Sequence, residues 1–248
     1  RDRSVSRGLG DVYKRQLWGY VADGLYIDEA DIANNPTSTL GNITIAAGDV
    51  KYVDQPDVNG NYDGQIDSDD RVAIGHPTIP EIIYGFGPSI TWKKWDFSVF
   101  FQGIGRQHIY PGANNMLFWG PYARPYSSFI PTTFLTDVWT EDTPDAYYPK
   151  ARGYAAQGSR SLAQINDRYL QNLAYCRLKN LTFGYTLPSS LTSKVGIERI
   201  RVYFSGDNIF TWTKLKSDYL DPEQMTSDAN GRVYPFSKTY SFGVDISF

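Results

Sequence analysis

The sequence predicts an all-β protein whose long strands form part of a transmembrane antiparallel β-barrel with long extracellular loops. Three observations carry that expectation. The last eleven residues, Lys238-Thr-Tyr-Ser-Phe-Gly-Val-Asp-Ile-Ser-Phe248, alternate without a break. Tyr240, Phe242, Val244, Ile246 and Phe248 fall on one face of a strand, and Ser241, Gly243, Asp245 and Ser247 on the other. A strand of about ten residues, apolar outward and small or polar inward, is long enough to cross a bilayer as one stave of a barrel. Aromatic residues make up 15% of the chain, with 19 Tyr, 13 Phe and 6 Trp, a content that suits a barrel with aromatic girdles and equally a carbohydrate-binding sandwich. No run approaches the eighteen or so apolar residues of a membrane helix, which excludes a helical membrane protein and leaves a barrel open. A soluble edge strand can show the same alternation but rarely ends a protein on an exposed Phe, so the expected location is the bacterial outer membrane.

Taken in order, the chain begins with a segment that fits poorly. Residues 5–16 differ in composition from the rest of the chain and read as translated adapter or vector read-through joined to a truncated frame. Residues 1–16 are therefore set apart as non-native, and residues 17–248 carry the fold. No apolar signal-peptide segment opens the sequence, which for an outer-membrane protein implies a missing N-terminus. Turn-rich pieces extend to about residue 54 and lead into an acidic loop at 57–71. Residues 82–92 alternate, with Tyr84, Phe86, Ile90 and Trp92 opposite Gly85, Gly87, Ser89 and Thr91, although Pro88 lacks a ladder donor. Lys93-Lys94 forms a tight turn into residues 95–105, where Trp95, Phe97, Val99 and Phe101 share a face opposite Asp96, Ser98 and Gln102.

Residues 106–172 have little periodicity and read as one long loop, the kind of segment that carries function, with a short helix within 128–138 or 161–168. Residues 173–187 resume a strand, with Leu181, Phe183, Tyr185 and Leu187 opposite Asn180, Thr182, Gly184 and Thr186. By strict alternation Arg177 and Lys179 share the apolar face, which places them at or beyond the membrane edge. Residues 199–211 form a further strand, with Val202, Phe204 and Phe210 opposite Arg201, Tyr203, Ser205 and Asp207, and the closing strand comes after a second long connection. Five long strands with very unequal connections result.

The net charge of −3 comes without a large basic block, which argues against a nucleic-acid partner. The single cysteine, Cys176, supports neither a disulfide framework nor a metal cluster. One segment has metal-ligand spacing. Asn59, Asn61 and Asp63 stand at positions 1, 3 and 5 of a calcium loop, Gly64 at the turn, Gln65 at 7, Asp67 at 9 and Asp70 at 12. Oxygen donors at alternating positions suit Ca²⁺ and not zinc. Asn at position 1 and Asp at position 12 depart from the usual Asp and Glu, and a polar Asx-rich turn without an ion is the competing reading. No paired carboxylates are placed for glycoside hydrolysis, and His76 and His108 have no triad or ligand partner in sequence, so an enzyme is not expected. A soluble or surface-attached β-sandwich that binds carbohydrate is the alternative, with Trp92, Trp95, Trp119, Trp139 and Trp212 as stacking residues. In a barrel Trp92 and Trp95 are interfacial anchors instead. Substrate contacts are sought in residues 106–172, at Trp119, Tyr122 and Tyr126.

An ordered set of motifs resembles the C-terminal part of the SusC/RagA family of TonB-dependent outer-membrane transporters. It comprises Gly48-Asp-Val-Lys-Tyr52, the Asp63-Gly-Gln-Ile-Asp67 loop, Asp70-Arg-Val-Ala-Ile-Gly-His-Pro77, Tyr84-Gly-Phe86 and Trp95-Asp-Phe-Ser-Val-Phe-Phe-Gln-Gly103. It continues through Trp139-Thr-Glu-Asp-Thr-Pro144, Arg177-Leu-Lys-Asn-Leu-Thr-Phe-Gly-Tyr-Thr-Leu-Pro188 and Arg201-Val-Tyr-Phe-Ser-Gly-Asp-Asn-Ile-Phe-Thr-Trp212, and closes with residues 240–248. The resemblance implies a 22-stranded barrel with an N-terminal plug and TonB box, a SusD-like surface lipoprotein as partner, and TonB-powered uptake of glycans or peptides in Bacteroidota. It also places the calcium-like loop in an extracellular connection. The plug, the TonB box and most strands are not in this sequence, which identifies it as resembling a fragment. Lone staves cannot close a barrel, so the chain by itself is not expected to transport.

Overall fold

A computed structural model describes residues 16–126, 130, 132–217, 220–225 and 236–248. All of the segment read as non-native except Gln16 lies outside these described residues, as does part of the helix expected within 128–138. The chain divides into two units, one built from residues 80–106, 173–214 and 235–248, the other from residues 1–79, 107–172 and 215–234.

The first unit is a single six-stranded antiparallel sheet. Its strands are β1 (Ile82–Phe86), β2 (Ser89–Trp92), β3 (Trp95–Gly105), β4 (Tyr175–Thr186), β5 (Arg199–Thr213) and β6 (Thr239–Ser247). The order is β6-β5-β4-β3-β1, with β2 also paired to β3. Gly87 and Pro88 split the first long segment into β1 and β2, because proline has no N–H to donate to the ladder. The turn at Lys93-Lys94 closes with Lys93 at φ +56°, a left-handed conformation that lysine adopts at some cost. From β2 to β6 consecutive strands are neighbours, and β1 continues the line of β2 along the same side of β3, so the sheet is an up-and-down meander. From the strand directions, both long connections, 106–174 and 214–238, leave the same end, and the short turns lie at the other. Transmembrane barrels distribute their long loops and short turns in that way.

Register makes one face of this sheet continuously apolar. Ile90 lies opposite Phe97, Phe97 opposite Phe183, Phe183 opposite Phe204 and Phe204 opposite Phe242. Beside that row Trp95 pairs with Tyr185 and Val202 with Val244. Trp95 stacks on Phe183 with ring centroids 5.0 Å apart, and Phe204 meets Phe242 at 5.2 Å. Among the described residues nothing covers this face: Phe183, Phe242, Val244, Ile246 and Trp92 all keep large exposed surfaces, and none belongs to the buried core.

The opposite face carries small and polar residues, with Ser98, Thr182, Ser205 and Ser241 in one row. Arg201 grips Asp96 through two hydrogen bonds of 2.9 and 2.6 Å and reaches Asp245 at 2.9 Å. Gly184 makes room for this clamp, since a Cβ there would lie 2.5 Å from an Asp96 carboxylate oxygen. Phe100 and Tyr203 are aromatic exceptions on this face, Phe100 lying over Gly85 and Gly87 and Tyr203 over Gly243.

One expectation is corrected here. The alternation in β4 breaks at a β-bulge between Leu178 and Asn180. The extra residue reverses the phase, so Leu178 lies opposite Phe101 and Phe210 on the apolar side while Arg177 lies opposite Gln102 and Thr211. Arg177 is buried, and its Nε donates to Thr211 Oγ1 at 2.8 Å. Strict period two put it on the apolar face, at or beyond the membrane edge; the bulge moves it to the polar face.

The second unit has its own aromatic core and only short ladders. Phe118, Trp119, Tyr122, Trp139, Tyr148, Leu162 and Tyr169 pack with Tyr20, Tyr52 and Ile66. Residues 106–172, read from sequence as a loop, supply most of this core and fold through Met116–Trp119 and short 3-10 turns at Thr132–Leu135 and Ser161–Ala163. The core is apolar by ring area, not by aliphatic periodicity, and several of its rings carry their polar tips to backbone carbonyls. Trp119 Nε1 donates to Pro111 O at 3.1 Å, Tyr148 OH to Phe118 O at 3.1 Å and Tyr110 OH to Leu162 O at 2.9 Å.

Candidate functional site

The calcium-spaced loop is held by its own backbone. Asp57 accepts from the N–H groups of Asn59 at 2.7 Å and Asn61 at 2.9 Å, which holds its carboxyl below the usual carboxylate range. Asp63 accepts from Gln65 N and Asp67 from Asp69 N, each at 2.8 Å. Asp70 is buried with both oxygens engaged, one by Gln55 N and one by Asp67 N, each at 2.7 Å. Gly64 sits at φ +76°, the turn that the spacing requires at that position. Asn59, Asn61, Asp63 and Gln65 are exposed. Among the described residues no three His, Cys, Asp or Glu side chains converge as a metal cluster. Asp54, which the spacing did not single out, is 8% exposed and accepts from Gly64 N at 2.9 Å through one oxygen, while its other oxygen is buried without a hydrogen-bond partner. A buried polar atom left in that state costs about 1–3 kcal/mol.

The three proposed substrate contacts separate. Trp119 and Tyr122 have no exposed surface. Both are core rings, Tyr122 OH donating to Pro149 O, and a ligand cannot reach them without opening the core. The expectation that they touch substrate is corrected accordingly: aromatic content in a loop does not distinguish a stacking platform from a core. Tyr126 is 78% exposed and lies beside Tyr154, ring centroids 6.2 Å apart. Tyr154 holds φ +64° and lines a depression of about 450 Å³ with Gln157, Gly158, Ser159 and Arg160.

A second depression, of about 390 Å³, is lined by Ala22, Asp137, Asp145, Tyr147, Asp167, Arg168 and Lys216. Lys216 Nζ stands 5.2 Å from the Tyr147 ring centroid, and burial pushes the Tyr147 phenol up to about 12, so it stays neutral and accepts from Gln171 Nε2 at 3.1 Å. Arg168 spends its guanidinium on Tyr147 O and Ala146 O at 3.0 and 2.6 Å. The two histidines stack at 5.2 Å, and His108 Nδ1 accepts from His76 N at 3.0 Å. Burial, with His76 adding to it, lowers the His108 pKa. This pair was invisible in sequence because 32 positions separate the two residues.

With this geometry in place, the comparisons with known proteins are consistent in direction. The chain is an all-β protein related in fold to the barrels of TonB-dependent receptors. It is 28% identical over 211 residues to TonB-dependent receptor P26 of Formosa agariphila, covering 81% of this chain and 20% of that protein. It is 22% identical to TonB-dependent receptor SusC of Bacteroides thetaiotaomicron, covering 98% of this chain and 21% of that one. Among solved structures, the RagAB peptide transporter matches with a TM-score of 0.63 and 26% identity, over 94% of this chain and 23% of that one. No family model matches the chain. The similarity is distant, and the chain spans about a fifth of the length of the curated relatives it matches. It supports an outer-membrane location, and relatives named as receptors and importers agree with the expectation that the chain is not an enzyme.

Proposed function

We propose that the chain is the C-terminal part of the 22-stranded barrel of a SusC/RagA-type TonB-dependent transporter, which imports glycans or peptides with a SusD-like lipoprotein and is powered through TonB. The observation that carries this reading is the uncovered apolar row from Ile90 through Phe97, Phe183 and Phe204 to Phe242. A water-facing sheet would leave that row solvated, and a carbohydrate-binding sandwich would cover it with a second sheet. Hydrocarbon satisfies it as it stands.

The spacing of the aromatic ends supports the same reading. Tyr185 in β4 lies opposite Trp95, and Cys176 lies opposite Trp212. The nine-residue step between them is about 30 Å at a rise of roughly 3.3 Å per residue, or about 23 Å after a tilt near 40°. That approaches the roughly 25 Å apolar band of outer-membrane barrels. The two edges of the sheet, β1–β2 and β6, would pair with strands from the remainder of the longer protein, because open edges are not tolerated in lipid. TonB would be engaged through that remainder. The exposed Tyr126–Tyr154 pair is the ligand contact we favour within the long connection.

The test is uptake by cells expressing the full-length protein with its lipoprotein partner, given fluorescent oligosaccharides or oligopeptides. Uptake that disappears on deletion of TonB is expected. Uptake indifferent to TonB, or a full-length protein recovered in the soluble fraction, would overturn the reading.

A further inference from the structure

We propose that residues 54–70 bind a hard divalent cation of the Ca²⁺ class and that Asp54, outside the twelve-residue spacing, is its anionic anchor. The observation is the state of the Asp54 carboxylate. One oxygen is fixed on the loop's turn by Gly64 N at 2.9 Å, so the group is aimed at the loop. The other oxygen is buried and has no hydrogen-bond partner, in a residue that is 8% exposed. Buried polar atoms in native proteins are nearly always satisfied by protein, water or an ion, and a formally anionic oxygen beside a ligand-spaced loop is best satisfied by a cation.

The loop's own carboxylates take a different role. Asp57, Asp63 and Asp67 each cap nearby backbone N–H groups and set the turns. Asp70, at the position where a calcium loop usually places its bidentate ligand, joins the two ends of the segment by accepting from Gln55 N and Asp67 N. That clamp holds the chain next to Asp54 against the loop, so Asp70 acts as a positioning residue and the anchor shifts to Asp54. The other donors on offer are oxygens of Asn59, Asn61 and Asp63 and backbone carbonyls. An all-oxygen, irregular donor set suits Ca²⁺ and disfavours both zinc and the near-octahedral demands of Mg²⁺. Cation binding at this loop does not depend on the transport reading.

The test uses the full-length protein in detergent micelles. Tb³⁺ luminescence sensitised by Tyr62, an exposed residue of the loop, reports binding, and Ca²⁺ competes it off. Calorimetry with Ca²⁺ alone gives the affinity. Asp54→Asn should weaken Ca²⁺ by about tenfold or more, since ligand charge tunes such sites over decades. Asp142→Asn, on a separate exposed stretch, should leave it unchanged. Should Asp54→Asn fail to fold by far-UV circular dichroism, the wild-type chain decides: Ca²⁺ should raise its melting temperature, and a chelator should reverse the rise. Absence of Ca²⁺ binding at millimolar concentration, or equal affinity in Asp54→Asn, would overturn the proposal and assign the buried oxygen to a water molecule.

Discussion

Leu181→Arg distinguishes a lipid-facing sheet from a solvated one. Leu181 lies in β4 opposite Val99 and Gly206, on the apolar face. It stands four residues from Tyr185 and five from Cys176, the positions that pair with Trp95 and Trp212. At roughly 3.3 Å per residue and a tilt near 40°, that puts it about 10 Å from one aromatic end and about 13 Å from the other, close to the bilayer centre. Arginine on the lipid face at that depth costs about 2–4 kcal/mol, or about 30- to 900-fold in the folding equilibrium. Thr182→Arg, one residue along but on the polar face between Ser98 and Ser205, carries no such penalty and should remain within about 1 kcal/mol. The assay is urea unfolding of the full-length protein from phospholipid vesicles, followed by tryptophan fluorescence. Equal effects of the two substitutions, or a near-neutral Leu181→Arg, would refute the assignment of the apolar face to lipid.

Three further outcomes are expected. Gly184→Val should destabilise the sheet by about 2 kcal/mol or more, because its side chain would intrude on the Asp96–Arg201 clamp; denaturant midpoints check this. Trp119→Ala should cost about 3–5 kcal/mol by cavity formation in the second unit, whereas Tyr126→Ala should leave stability nearly unchanged and lower ligand capture; thermal melts and uptake separate the two. His108 has a lowered pKa in the folded chain, so below its unfolded value of about 6.5 the unfolded chain binds more protons and stability falls with pH. His108→Asn keeps an acceptor for His76 N–H and removes the titration, so melts between pH 5 and about 7 should flatten in that variant.

The barrel-like unit was largely legible in sequence because period-two alternation is a local signal. The faces of β3, β5 and β6 fell where Phe97, Phe204 and Phe242 placed them, and Pro88 marked the break between β1 and β2. Where alternation was read too rigidly it failed: the bulge at Lys179 reverses the strand's phase, and nothing in Arg177-Leu-Lys-Asn180 announces an extra residue in the ladder. The second unit was not legible. Its core brings together residues more than a hundred positions apart, such as Tyr20 or Tyr52 with Tyr169, with no helix or strand long enough to impose a period. An aromatic-rich loop therefore looked like a surface, and Trp119 and Tyr122 were assigned to a ligand although they pack the interior. The calcium spacing singled out residues 59–70, whereas Asp54 stands outside it, and its buried oxygen without a hydrogen-bond partner is visible only in the structure.

The most direct measurement is a spin-label scan of β6, with a nitroxide at each position from 239 to 247 of the full-length protein in lipid vesicles and Cys176 replaced by Ser. Collision rates with oxygen and with a water-soluble nickel complex should alternate with period two. Positions 240, 242, 244 and 246 should favour oxygen, and 241, 243 and 245 should favour nickel. Uniform nickel access along the strand, or protection from both reagents at positions 242 and 244, would contradict a sheet that faces hydrocarbon on one side and water on the other.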